Sequence, residues 1–430
     1  MGMGGTSVLL FGIFVVLLIL NVPIAISLGI AALASVVSSG LPVGMIATNV
    51  FSASSKFALL AIPFFIIGGN IMEKAGISEQ LISFAKACVG HRRIGIAMVC
   101  VIVCCFFAAI SGSGPATVAA LGLIMIPAMV EAGYGKTLPP ALMASGGAIG
   151  VIIPPSVTFI VYGSISGASI GKMFMAGVIP GIMMGVALVI ATMIMVKGKD
   201  LKSYPKCSAG ERWKAFKSAF WGLLMPVIIL GGIYAGIFTP TESAAVSAIY
   251  GFFVGIFIYK KLKIKDLFTI FIESASQTGV VMWVMICASL FAWVVTVDGV
   301  GVTIGNLFMT ISGGNLYIYL LIVNILLIFV GMVMDANSAL YIFVPILLPV
   351  AQQLGYDVVA FGIMMCVNLA IGLVTPPVGV NLFVACNIAE VSIKELIKDV
   401  LPLIGAFIVV LLLITYIPQI SLFLPGAMGM

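Results

Sequence analysis

Charged side chains are scarce in this sequence, and their scarcity excludes a water-soluble protein. Only 8% of the 430 residues are charged, whereas 62% are hydrophobic. Ordinary soluble domains carry about a quarter charged residues. Apolar runs near the length of about 20 residues that crosses a hydrocarbon core recur along the chain. We therefore predict an all-α integral membrane protein with about ten to twelve spans, whose apolar surface contacts membrane lipid.

Histidine is nearly absent and paired cysteines are missing, which excludes several catalytic and metal sites. His91 is the only histidine and lies beside Arg92, so neither a Ser-His pair nor an HExxH zinc motif exists. The eight cysteines contain no CxxC pair and lie mostly in apolar runs, so we expect neither a metal site nor a disulfide. Gly-Lys-Thr at 135–137 lacks the earlier glycine of a phosphate-binding loop. We predict that the protein is not an enzyme and has no ATP site.

Lysine and arginine are missing from the whole stretch between Asp266 and Ile393, and this gap indicates an orientation. The net charge of +6 is concentrated in loops, above all at 197–217 and 260–265. Such loops are typically cytoplasmic, so no nucleic-acid partner is expected. We interpret 197–217 as a cytoplasmic linker between two halves, 1–196 and 218–430. The first apolar run, 7–22, lacks a basic n-region and is interpreted as a transmembrane helix rather than a cleaved signal.

An internal duplication relates the two halves at a constant offset of 222 residues. Residues 113–163 and 335–385 share ten identical positions without a gap, including a Gly-Tyr pair and a Gly-x3-Pro-Pro signature. Arg92, Arg93 and Lys136 flank the first copy, whereas the second copy has no basic neighbour. The copies are thus predicted to face opposite sides, which is the inverted-repeat plan of secondary transporters. The identical positions of the first copy are Ile124, Pro127, Gly133, Tyr134, Met143, Ala148, Ile149, Gly150, Pro154 and Pro155.

Each copy is predicted to contain a helical hairpin followed by a broken helix. The first hairpin covers about 92–135 and its broken helix 138–167; the second covers 315–356 and 358–387. Ser-Gly-Ser-Gly-Pro at 111–115 is too polar and too helix-breaking to face lipid. It favours a re-entrant hairpin whose tip lines a cavity enclosed by protein. A re-entrant hairpin and a pair of complete spans both begin and end on the same side of the membrane. The predicted orientation therefore does not distinguish between these two arrangements.

The paired helix interruptions predict two sodium sites, because proline frees carbonyl oxygens that a sodium ion accepts as ligands. Asp335 is the one carboxylate aligned with a hairpin tip, where an ionised carboxylate costs about 2.5 to 3.5 kcal/mol on insertion scales. An ion-binding role for it is therefore favoured over a purely structural cap. The predicted ion-binding residues are Ser111, Ser113, Gly114, Ser145, Gly150 and Ile153 in the first copy, and Asp335, Asn337, Ser338, Asn368, Gly372 and Thr375 in the second.

No Lys or Arg lies at either hairpin tip, so an anionic substrate would meet neutral donors. Helix N-termini, exposed amides and hydroxyl groups are such donors. The predicted substrate-binding residues are Ser156, Thr158 and Asn381, together with the hydroxyls of the first tip.

Six segments together resemble the large membrane subunit of tripartite ATP-independent periplasmic (TRAP) transporters, the DctM-like family. They are 68–72, 111–120, 146–156, 239–245, 334–349 and 372–380. The most specific combination is Pro-Thr-Glu-Ser-Ala-Ala at 240–245 with the two Gly-x3-Pro-Pro elements. The resemblance covers almost the whole chain.

This resemblance implies an elevator mechanism, in which a transport domain carrying both hairpins moves against a scaffold domain. Sodium would be the coupling ion, bound at the two pairs of interruptions. The resemblance further implies two partners, a small four-helix membrane subunit and a periplasmic substrate-binding protein. The substrate would be an organic acid of the sialic acid or dicarboxylate type, and the location the bacterial inner membrane.

Two other functions remain open from the residues. A stand-alone sodium/carboxylate symporter would use the same inverted hairpins but no binding protein. A channel or a structural membrane subunit would need no ion coupling.

Overall fold

The chain folds into a bundle of helices, seen in a computed structural model that describes residues 3–429. No strand occurs in that range. Eight helical segments are long and apolar enough to cross a membrane, and eight shorter apolar helices accompany them. The predicted all-α membrane fold is confirmed. The helices are α1 Met3–Ile19, α2 Ile24–Ser38, α3 Gly44–Ser54, α4 Ala61–Lys74, α5 Ile77–Val89, α6 Gly95–Ser111, α7 Gly114–Glu131, α8 Leu138–Ile149, α9 Val157–Ser166, α10 Ile170–Met195, α11 Ala209–Tyr234, α12 Pro240–Phe253, α13 Ile264–Val297, α14 Val300–Ser312, α15 Leu316–Val333, α16 Ala336–Gln353, α17 Val358–Gly372, α18 Val380–Ala389, α19 Ile393–Tyr416 and α20 Gln419–Ala427.

The duplication is visible in the order and the bounds of the helices. α7 and α16 begin and end 222 residues apart, and the pairs α5/α14, α6/α15, α8/α17, α9/α18 and α10/α19 agree with that offset to within two residues. α6 and α7 form the first hairpin, and α15 and α16 form the second. α8 with α9, and α17 with α18, are the two broken helices.

Local capping chemistry explains several of the helix starts. Ser392 and Glu395 form a reciprocal capping box at the start of α19, as do Thr239 and Glu242 at α12. A further box at α11 joins Ser208 to Glu211. The segment 197–217 is therefore not a loop throughout, because α11 begins at Ala209 and takes the basic residues after it into its first turns.

The helices of the two halves pack across each other in matching pairs. α7 contacts α8 of its own half and α18 of the other; α16 contacts α17 of its own half and α9 of the other. All residues of α8 are buried, and only the first residue of α17 is not. Helices that are buried on every side lie inside a bundle. The broken helices thus form the centre, and α4 and α13, which contact each other, flank the hairpins through contacts with α6 and α16.

Candidate functional site

The first hairpin tip touches the Pro-Pro break of its own half. Gly112 has a φ of +60°, and a Cβ added there would lie 2.8 Å from the carbonyl oxygen of Pro155. Both the left-handed conformation and the close approach require glycine. The tip and the break are therefore held in direct contact.

Oxygen atoms converge around Gly150 at this contact. A Cβ added to Gly150 would lie 2.9 Å from the carbonyl oxygen of Gly147, 3.0 Å from Thr117 Oγ1 and 3.1 Å from the carbonyl oxygen of Ser113. Thr117 Oγ1 donates to that Ser113 oxygen at 2.8 Å and lies 3.0 Å from Ser111 Oγ. Carbonyl and hydroxyl oxygens are hard donors that suit cations such as sodium.

Thr117 is absent from the predicted ligands although it lies among these oxygens. The sequence did carry a signal, since Thr117 follows Ser113 by four residues and therefore shares its helix face. Its counterpart in the second copy is Ala339, so a comparison of the two copies gave it no support.

The second hairpin tip carries a carboxylate that caps the helix after it. Asp335 caps α16, with Oδ2 accepting from the Ser338 backbone N–H at 3.0 Å and Oδ1 accepting from Ser338 Oγ at 2.5 Å. An ionised carboxylate accepts about four hydrogen bonds or ligand contacts, so this cap leaves it free lone pairs. Oδ1 of Asn337, the second residue of α16, is buried without a hydrogen-bond partner. The cap and an ion-binding role are chemically compatible at this tip.

The other predicted residues of the second copy lie deeper in the bundle. Asn368 Nδ2 donates to Asn324 Oδ1 at 2.7 Å, and Asn324 Nδ2 donates to Thr415 Oγ1 at 3.2 Å. Thr375 Oγ1 donates to the Ile371 carbonyl at 2.7 Å. Asn324 and Thr415 were not predicted, because each is a single polar residue within an apolar run. The network joins α15, α17 and α19.

Three predicted residues make contacts within or next to their own segments. Ser145 Oγ donates to the Ala141 carbonyl at 2.9 Å, one turn back in α8. Ser156 Oγ donates to the Val151 carbonyl at 2.5 Å and caps α9. Ile153 is packed against Gly181 of α10. None of the three lines the cavity described below.

Asn381, predicted to bind substrate, lies beside the first cluster of oxygens. Its Nδ2 donates to the Ala144 carbonyl of α8 at 3.1 Å, while its Oδ1 is buried without a partner. A Cβ on Gly114 would lie 3.0 Å from that Oδ1. A residue of the second half therefore completes the surroundings of the first hairpin tip.

A cavity of about 680 Å³ joins the two hairpin tips. Both broken helices contribute to it through residues of the break and through their second segments, α9 and α18. α4 and α13 form a further wall. Among the described residues no Lys or Arg lines it. Its volume is in the range of small-molecule sites, roughly 300 to 1,000 Å³. Its polar lining residues are Asn70, Glu73, Ser111, Ser113, Thr158, Ser276, Gln277, Asp335 and Asn337.

The wall from α4 and α13 carries a hydrogen-bonded polar group. Asn70 Nδ2 donates to Ser274 Oγ at 2.8 Å and to Gln277 Oε1 at 3.4 Å. Gly69, next to Asn70, approaches the first hairpin so closely that an added Cβ would lie 3.3 Å from Ser111 Cα. The sequence analysis did not predict this wall. Its only signal in the sequence is a few polar residues within apolar runs.

Comparisons with known proteins agree on one family. Residues 11–420 match the family model described as tripartite ATP-independent periplasmic transporter, DctM component. The chain is 39% identical to the C4-dicarboxylate TRAP transporter large permease protein DctM of Rhodobacter capsulatus, over 99% of this chain and 100% of that protein. It is 37% identical to the sialic acid TRAP transporter large permease protein SiaM of Vibrio cholerae, over 95% and 96%.

A longer relative and a solved structure extend the comparison. The chain is 45% identical to the isethionate TRAP transporter permease protein DctMQ of Oleidesulfovibrio alaskensis, covering 97% of this chain and 66% of that protein. The crystal structure of the Alcanivorax borkumensis YdaH transporter matches with a TM-score of 0.58 at 14% identity, covering 89% of this chain and 88% of that one. At that identity the structure supports the fold alone. The chain belongs to the DctM component family of tripartite ATP-independent periplasmic transporters.

Proposed function

We propose that this chain is the large membrane subunit of a sodium-driven, binding-protein-dependent transporter that imports a small organic acid across the bacterial inner membrane. The observation that carries the proposal is the cavity that both hairpin tips share. A substrate bound there would contact both inverted copies at once, as in other secondary transporters built from inverted repeats.

Sodium coupling is supported by the donor set beside the cavity. The first cluster offers the carbonyl oxygens of Ser113 and Gly147 with the hydroxyl of Thr117. The second tip offers the Asp335 carboxylate and the unpartnered Asn337 Oδ1. A buried acceptor without a donor, here Asn337 Oδ1, is costly unless a cation or water satisfies it. We assign one ion site to each tip.

The elevator motion is proposed from the way in which the helices group. Both hairpins and both broken helices pack on one another and on α10 and α19, whereas α4 contacts α12 and α13 contacts α2. The cavity lies where these two groups meet. In this proposal the first group carries the substrate and slides along the wall formed by α4 and α13.

The partners and the substrate class are proposed from the relatives. Their names describe permeases for C4-dicarboxylates, sialic acid and isethionate, all of which are organic acids. We propose a small membrane subunit and a periplasmic binding protein as partners of this chain. The name DctMQ and the greater length of that relative are consistent with a small subunit fused to the same chain.

Reconstitution tests the proposal. The chain and its small subunit are placed in liposomes, and uptake of radiolabelled organic acids is followed while the sodium gradient and the binding protein are varied separately. We expect uptake only when both are present. Uptake without binding protein would favour a stand-alone sodium/carboxylate symporter, and flux that ignores the sodium gradient would favour a channel or a structural subunit.

A further inference from the structure

The charged groups on the cavity wall are all acidic. Glu73 and Asp335 line the cavity, and among the described residues no basic side chain does. Asp335 lies at a hairpin tip, where the proposed sodium ion would neutralise it. Glu73 lies on α4 and is not among the residues assigned to either ion site. An anionic substrate therefore meets one carboxylate that the proposed ion sites leave charged.

Glu73 lies within one helical turn of the first hairpin tip. α4 contacts that tip at Gly69, beside Ser111 Cα. Glu73 follows Gly69 by four residues, so it lies on the same face of α4 about 6 Å farther along the axis. The amides and hydroxyls of the hairpin tip could bind the acid group at one end of a small substrate. The other end of that substrate would then lie close to Glu73.

No basic side chain of the described residues forms an ion pair with Glu73. Within residues 3–429 the ion pairs are Lys74 with Glu273, at 3.8 Å between Nζ and Oε1, and Lys261 with Glu79. The basic residue nearest in sequence, Lys74, is therefore held by Glu273 on α13. The α4 wall of the cavity keeps a net negative charge.

We propose that Glu73 is a specificity-determining residue, which excludes a second acid group and selects substrates that carry one acid group and a hydroxyl group. A second carboxylate near Glu73 would be repelled strongly, because burial weakens solvent screening. A hydroxyl would instead donate a charge-assisted hydrogen bond to the same carboxylate. The proposal rests on the proposed function and narrows its substrate class to small hydroxylated monoanions.

The test compares matched pairs of ligands on the complex of this chain with its small subunit. Binding is measured directly in detergent with saturating sodium and no binding protein, since the binding protein has its own selectivity. The pairs are 3-hydroxypropionate with malonate and 4-hydroxybutyrate with succinate. We expect each hydroxy acid to bind at least about tenfold more tightly than its dicarboxylate partner.

The variant Glu73→Gln removes the charge and keeps the shape. We expect it to reduce that ratio to less than about threefold, mainly by strengthening dicarboxylate binding. Glu131→Gln is the matched control, because Glu131 is exposed at the end of α7 and does not line the cavity. The ratio should be unchanged in this control.

The outcomes separate this inference from the proposed function. A wild-type preference for a dicarboxylate, a ratio that Glu73→Gln does not change, or no binding of either hydroxy acid would overturn the role of Glu73. Sodium-driven uptake in the liposome experiment would remain intact in those cases. Loss of sodium-driven uptake for every organic acid would overturn the proposed function itself.

Discussion

Gly331 and Gly372 are in direct backbone contact where α15 crosses α17. A Cβ added to Gly372 would lie 2.4 Å from the carbonyl carbon of Gly331 and 2.5 Å from its oxygen. Small residues allow helix backbones to approach this closely in membrane proteins. The contact joins the first helix of the second hairpin to the broken helix that follows it.

Gly372→Ala is expected to destabilise the protein by about 1 to 3 kcal/mol, because the obstructing atoms belong to backbone and cannot rotate away. Thermal unfolding in detergent measures the effect. Gly405→Ala is the control, since a Cβ at that position in α19 has no heavy atom within 4 Å. Equal unfolding temperatures for the two variants would contradict the close crossing.

Asp335→Asn separates an ion-binding role from a capping role. Asparagine caps a helix about as well as aspartate, so the stability should be kept. Loss of the charge should lower the apparent sodium affinity for uptake by about tenfold or more, equivalent to 1.4 kcal/mol. Asp335→Ala should in addition cost about 1 kcal/mol of stability through the lost cap. An unchanged sodium affinity in the asparagine variant would assign the residue to capping alone.

Thr117→Val tests the oxygen cluster at the first tip. The change removes the hydroxyl that lies near Gly150 and keeps the shape of the side chain. We expect the apparent sodium affinity to fall by about tenfold. Thr296→Val is the matched control, because its hydroxyl also donates to a carbonyl one turn back but lies exposed near the end of α13. A similar loss in both variants would argue against a specific site.

Thr375→Val tests the Pro-Pro break between α17 and α18 in the second copy. The Thr375 hydroxyl donates to the Ile371 carbonyl and leaves its lone pairs available. We expect sodium-dependent uptake to be impaired more than folding, which is measured by comparing uptake with unfolding temperature. A folded variant with unchanged sodium dependence would remove Thr375 from the site.

Labelling of introduced cysteines tests the opposite orientation of the two copies. Arg93 precedes α6 and Gln352 lies near the end of α16, and both are exposed. In a background without the native cysteines, Arg93→Cys should react with a membrane-impermeant reagent from the cytoplasmic side only. Gln352→Cys should react from the outside only. Reaction of both from one side would overturn the inverted repeat.

Sequence reasoning was most successful where the signal is local or repeated. The charge distribution, the Ser-Gly-Ser-Gly-Pro tip and the Gly-x3-Pro-Pro signatures are patterns of neighbouring residues, and the family and the membrane fold they indicated are confirmed. Contacts of individual side chains were not predictable in the same way. Ser145 and Ser156 donate to backbone carbonyls within their own segments and do not line the cavity, so their predicted roles stay predictions.

What the sequence by itself determined is the helical membrane architecture and its duplication, because apolar run length, proline and glycine act on the chain locally. Only the tertiary structure decided which groups surround the cavity. Asn381 reaches the first hairpin from the other half, and Asn70 and Glu73 come from a helix outside either repeat segment. Such contacts depend on how α4, α13 and the two halves pack. Packing between segments that are distant in the chain produces no periodic pattern in the sequence.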